Sequence, residues 1–93
     1  MTNLITKDKI IIDTDMISEF VWKTILFNCD CHTFETVIEQ LIIAIKCSRE
    51  TAEHLAYVAD QFGSVVIYKG TKNSCENVAD ILGRVGLLVK VIQ

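Results

Sequence analysis

From Phe34 to Ile45 the apolar residues Phe34, Val37, Ile38, Leu41, Ile42 and Ile45 fall at the i, i+3, i+4, i+7 spacing that puts them on one face of an α-helix. An apolar stripe of that width is stable in water only when covered, so the rest of the chain has to supply an opposing layer. Thr33 precedes the stripe as an N-cap candidate. Ser48 restarts the pattern: Glu50 and Glu53 sit near the positive start of a second helix, and Ala52, Leu55, Ala56 and Ala59 line one side of it. Gly63 can close that helix, because glycine tolerates positive φ. Asn73 with Glu76 predicts a capping box for a third helix, with Cys75, Val78, Ala79, Leu82 and Val85 facing inward and Gly86 at its end.

The segments between these helices are short and rich in β-branched and aromatic residues. Residues 21–27 (VWKTILF), 64–68 (SVVIY) and 87–92 (LLVKVI) read as strands, with Gly70 as a turn. The order is β-α-α-β-α-β, which predicts a two-layer α+β domain over residues 21–93, a three-stranded sheet packed against three helices. Residues 1–20 are an N-terminal extension of unassigned order: residues 9–13 (KIIID) are strand-like, but the acidic and polar residues after them lack periodicity.

In a chain of 93 residues nearly every element must contribute to the core, and a hydrophobic content of 51% meets that demand. The formal charge of −3 and the scatter of nine Lys and Arg argue against a nucleic-acid partner. No run is long enough for a membrane-spanning helix, and the N-terminus lacks the basic-then-apolar layout of a secretory signal. The expectation is a monomeric, soluble, cytoplasmic protein whose four cysteines are reduced thiols. Asp30 and Asp60 can approach each other across a cleft, but no nucleophile, oxyanion hole or phosphate loop accompanies them, so neither an enzyme nor a cofactor is expected.

Cys29, Cys31 and His32 form a C-x-C-H cluster, with Asp30 between the cysteines, of a kind that can hold a soft metal. A structural zinc site needs a second ligand pair at similar spacing, whereas Cys47 and Cys75 are isolated on expected helices. On the sequence alone, therefore, no metal is assigned.

Residues 22–34 (WKTILFNCDCHTF) resemble the signature segment of the ClpS adaptors, in which a first strand runs into an Asn-Asp-Asp triplet and a Thr-Phe or Thr-Pro pair opens the first helix. The likeness continues through CSRETAEHLA, FGSVVIYKG and CENVADILGRVGLLVKV, so that it covers residues 21–92. This resemblance implies an adaptor that binds the N-terminal residue of a substrate protein, usually a large hydrophobic one acting as an N-degron, and delivers it to the N-domain of a ClpA- or ClpC-type ATPase. The alternative is a ClpS-like module that docks on a Clp chaperone and modulates it without reading N-termini.

By the same resemblance, Asn28 and Asp30 match the first and third members of the triplet that receives the substrate's α-ammonium. Cys29 stands where the family has its middle Asp, and a neutral thiol is a poor partner for a cation. Asp60 stands where the family has a His three residues before its Gly, here Gly63. A carboxylate lost at Cys29 would then be regained at Asp60; the competing reading is a solvated helix end, where an Asp opposes the helix dipole at a cost of about 0.3 kcal/mol or more. The implied hydrophobic walls are His32, Phe34, Ala56, Ala59 and Val89, although Phe34 reads equally as a core residue. The small Ala56 and Ala59 suggest room for a Trp or Tyr side chain. The chaperone-contacting side falls around Lys72, Asn73 and Glu76.

Overall fold

The computed structural model describes residues 21–93. The chain forms β1 (Trp22–Phe27), α1 (Phe34–Ile45), α2 (Arg49–Phe62), β2 (Ser64–Gly70), α3 (Lys72–Arg84) and β3 (Val89–Ile92). This is the element order and the α+β class expected from the sequence. The strand-like residues 9–13 lie outside the described residues. No helix among those described is long and apolar enough to cross a membrane.

β1 is the middle strand, antiparallel to β2 on one edge and to β3 on the other. Its alternation explains the placement. Thr24 and Leu26 are buried on one face, while Lys23, Ile25 and Phe27, which alternate with them, are only half-buried. The hydroxyl of the fully buried Thr24 donates to the Cys75 carbonyl in α3 at 3.0 Å, so its burial leaves no unsatisfied donor and ties the sheet to a helix.

The register between β1 and β2 shifts by one residue: Thr24 faces Tyr68, but Ile25 faces Val66. The extra residue on β2 is Ile67, and a bulge of this kind frees neighbouring side chains from strict alternation. Ile67 is buried in the core and the adjacent Tyr68 packs against that same core.

Helix ends obey local chemistry. The Thr33 hydroxyl accepts from the Thr36 N–H and the Ser48 hydroxyl from the Thr51 N–H, each at 3.1 Å. Gly63 caps α2 at φ 92°, its N–H donating to the Ala59 carbonyl. Three expectations need correction. The third helix begins at Lys72, capped by Thr71 rather than Asn73, because the Thr71 hydroxyl accepts from the Ser74 N–H. Gly70 is the last residue of β2 rather than a separate turn, and β3 starts at Val89, leaving Leu87 to turn inward, buried, and Leu88 outward.

α3 lies against all three strands, α2 packs on β2, and α1 covers the seam between α2 and α3. One core results: Leu26 and Ile67 from the sheet meet Ile38 and Leu41 of α1, the alanine face of α2, and Val78 and Leu82 of α3. Ala52, Ala56 and Ala59 let α1 and the sheet come close to the α2 backbone, and Leu41 fills the centre with no exposed surface.

Candidate functional site

The loop after β1 is pinned from both sides. The Phe27 N–H donates to the Leu88 carbonyl and the Asn28 N–H to the Gly63 carbonyl, both at 2.9 Å. The residues leaving the central strand are therefore fixed against the C-terminal end of α2 on one side and the entry to β3 on the other.

A cavity of about 220 Å³ opens at this junction. Its apolar wall is built by Leu26 and Phe27 from β1, Phe34 and Val37 from the first turn of α1, Ala56 and Ala59 from α2, and Leu87 ahead of β3. Asn28, Asp30 and Asp60 supply its polar groups, with Cys29 and His32 between them. Asp30 and Asp60 are exposed at the mouth, and the Gln61 side-chain amide donates to Asp60 Oδ2 at 3.2 Å. A hollow with apolar walls and carboxylates at its rim can receive a compact cation attached to an apolar group, the ion staying partly hydrated while the apolar part is buried.

Asn28, Cys29, Asp30, His32, Phe34, Ala56, Ala59 and Asp60 thus share one cavity, although α1 and most of α2 lie between Asp30 and Asp60 in the chain. Val89 does not join them. Paired with Leu26 in the β1–β3 ladder, it packs half-buried against the core, and the position it was expected to fill is taken by Leu87. Leu26, Phe27, Val37 and Leu87 were not singled out from the sequence. Val37 carried a usable signal, since it lies one helical turn beyond Phe34 on the same face.

The expectation of reduced cysteines at this loop is also corrected. Cys29 and Cys31 are joined by a disulfide, their Cα atoms 5.3 Å apart across the turn at Asp30, while Cys47 and Cys75 are free thiols. Cys29 in this state has no thiol proton to donate. His32 is wedged against the turn between α3 and β3. Its Nε2 lies 2.6 Å from the Val85 carbonyl and its Nδ1 3.1 Å from Cys31 Sγ. Gly86, at φ 86°, makes room for the ring, because a Cβ there would come within 3.3 Å of His32 Cε1.

Lys72, Asn73 and Glu76 are outside the cavity lining, exposed on the first two turns of α3. Lys72 Nζ stands 5.3 Å from the centroid of the Trp22 ring, a cation–π contact at the opposite end of β1.

Comparison with known proteins gives the arrangement its relatives. The chain is similar to Agrobacterium tumefaciens ClpS2 in a structure bound to L-phenylalaninamide, with a TM-score of 0.66 and 22% identity over 77% of this chain and 94% of that one. It is 33% identical over 61 residues to the E3 ubiquitin-protein ligase ubr-1 of Caenorhabditis elegans, a stretch covering 66% of this chain but 3% of that much longer protein. The family model for the ATP-dependent Clp protease adaptor protein ClpS matches residues 18–87, more than half of the 93. This β-α-α-β-α-β domain therefore belongs to the ClpS family of ATP-dependent Clp protease adaptors.

Proposed function

We propose that the chain binds the exposed N-terminal residue of substrate proteins, preferring a large hydrophobic first side chain, and delivers them to a Clp ATPase of the ClpA or ClpC type in the cytoplasm. The observation that carries this reading is the meeting of Asn28, Asp30 and Asp60 at the rim of an apolar cavity. An α-ammonium brings three donors and no acceptor, and charged hydrogen bonds contribute about 1.5–3 kcal/mol each. Burial of a Leu- or Phe-sized side chain adds roughly 1.5–3 kcal/mol. A site that needs both rejects internal residues, which bring no ammonium, and blocked termini, which leave its acceptors unpaired. L-Phenylalaninamide, the ligand of the Agrobacterium ClpS2 structure, combines a free α-amine with a benzyl group. Such a combination suits the cavity of this chain.

Asp60 takes the ammonium-facing role in place of the carboxylate missing at position 29. Short peptides that differ only in their first residue, each with a free or an acetylated amine, test this by calorimetry. Free-amine peptides beginning with Phe, Tyr or Trp are expected to bind and acetylated ones not to. Asp60→Ala is expected to weaken binding about 10- to 100-fold, the loss of one charged hydrogen bond. Equal affinity for both forms would sink the reading.

A second reading has support from the disulfide that holds Cys29: a module that docks on a Clp chaperone and modulates it without reading N-termini. A pull-down on a Clp ATPase N-domain, with Lys72→Ala, Asn73→Ala and Glu76→Ala as variants, tests delivery separately from peptide capture. Docking without any free-amine binding would favour this second reading.

A further inference from the structure

We propose that the dithiol form of the loop is a metal site, in which Cys29 Sγ, Cys31 Sγ and His32 Nδ1 take one thiophilic d10 cation, Zn²⁺ or Cu⁺. The three ligand atoms lie within 4.8 Å of one another. Metal–sulfur bonds of about 2.3 Å and metal–nitrogen bonds of about 2.0–2.1 Å around one ion place such atoms roughly 3.5–4 Å apart, so once the Cys29–Cys31 bond is broken the two sulfurs have to swing apart about their side-chain bonds to reach that spacing.

A second observation points to a metal ligand. The Val85 carbonyl can only accept, so at 2.6 Å the His32 Nε2 must carry the ring proton and donate it. The lone pair is then left on Nδ1, which faces Cys31 Sγ at 3.1 Å. A disulfide sulfur has no proton to give this lone pair. A ligating histidine is commonly held in this way, with the other ring N–H fixed by a backbone carbonyl. Gly86 supports the same placement by leaving space for the ring.

Two thiolates and one imidazole make a soft donor set that favours Cu⁺ or Zn²⁺ over Mg²⁺ or Ca²⁺. Three protein ligands leave the ion a free position, and Cys29 and His32 both line the cavity, so the ion would lie in its wall. The disulfide and the metal are mutually exclusive. A dithiol reductant gives two electrons and two protons to the Cys29–Cys31 bond and is itself oxidised to a disulfide; metal uptake then displaces the two thiol protons.

The test uses the full chain, reduced under anaerobic conditions and freed of reductant, then titrated in separate arms with Zn²⁺, with Co²⁺ as a coloured stand-in for zinc, and with Cu⁺. One equivalent is expected to bind, with a sulfur-to-metal charge-transfer band in the Co²⁺ arm. The oxidised protein, Cys29→Ser and Cys31→Ser are expected to lose the band, and His32→Ala to bind at least about tenfold more weakly. Cys47→Ser is expected to bind as the parent does. Saturation in the zinc arm alone or the copper arm alone identifies the ion. The proposal is overturned if the reduced chain, folded by circular dichroism, takes up no ion in any arm. It is equally overturned if the Cys29→Ser/Cys31→Ser double variant takes up as much as the parent. Peptide capture is read separately by calorimetry, so either result stands whatever the outcome for N-terminal recognition.

Discussion

Asp60 and Thr24 show how differently a single polar side chain can be held. Asp60 sits exposed at the end of α2, where the helix dipole offers it nothing, and its neighbour Gln61 is its described hydrogen-bond partner. Its removal is expected to leave thermal stability within a few tenths of a kcal/mol of the parent while lowering peptide affinity, a separation that a melt and a titration on Asp60→Ala read together. Thr24 is fully buried, and its one role is the hydrogen bond to the Cys75 carbonyl. Thr24→Val keeps the shape and removes the donor. It is expected to destabilise the fold by about 1 kcal/mol in chemical denaturation, without changing ligand preference.

At the scale of the element, caps and periodicity were the legible part, because they depend on residues adjacent in sequence. Thr33, Ser48 and Gly63 cap where the sequence places them, and the stripe from Phe34 to Ile45 faces the core through Ile38 and Leu41, with Val37, Ile42 and Ile45 half-buried and Phe34 exposed at its start. The start of α3 was misread because Thr71 and Asn73 can both cap, and only the position at which β2 ends decides between them. The β2 bulge at Ile67 was invisible for a related reason: it is set by the strand opposite. Likewise Leu87 and Val37 look like core until the loop after β1 opens a cavity beside them, and nothing in cysteine spacing distinguished the Cys29–Cys31 bond from reduced thiols. The residues of the candidate site came from likeness to a family, not from any local pattern. Two helix ends offer a matched pair of tests. Lys46 closes α1 at φ 57°, a region that strains a side chain, so Lys46→Gly is expected to stabilise the protein by about 0.5–1 kcal/mol. Gly63 has open space around it but φ 92°, so Gly63→Ala is expected to destabilise it by roughly 1–2 kcal/mol, both read from denaturant midpoints.

Across the whole molecule, Leu41 of α1 belongs to the one core shared by sheet and helices and touches solvent nowhere. Leu41→Ala is expected to cost about 2–5 kcal/mol, enough to unfold a domain of this size at moderate temperature. Outside the core, Arg49 bridges the first turns of α1 and α2 through Glu35 at 2.6 Å, and it also reaches Glu53 within α2. The hydrogen bond from Arg49 holds the Glu35 carboxyl below its ordinary range. A group lowered in this way contributes stability above its unfolded titration and loses it as pH falls through the folded one. The gap in melting temperature between the parent and Glu35→Gln is therefore expected to be present near neutrality, to close in acid, and to shrink with added salt, since both partners face solvent.

β1 is bonded along both edges and cannot slide against either neighbour without breaking its ladders. Trp22, under Lys72, marks one tip, and Phe27, beside the hollow, marks the other; six residues of extended chain make that spar about 20 Å long. On the proposed function, with capture at the hollow and docking at the Lys72 end, a substrate must span this fixed gap with its own slack before a motor could seize it. If that proposal holds, substrates with a loose leading stretch are expected to be degraded faster, in an assay with the Clp protease, than substrates folded right up to their start.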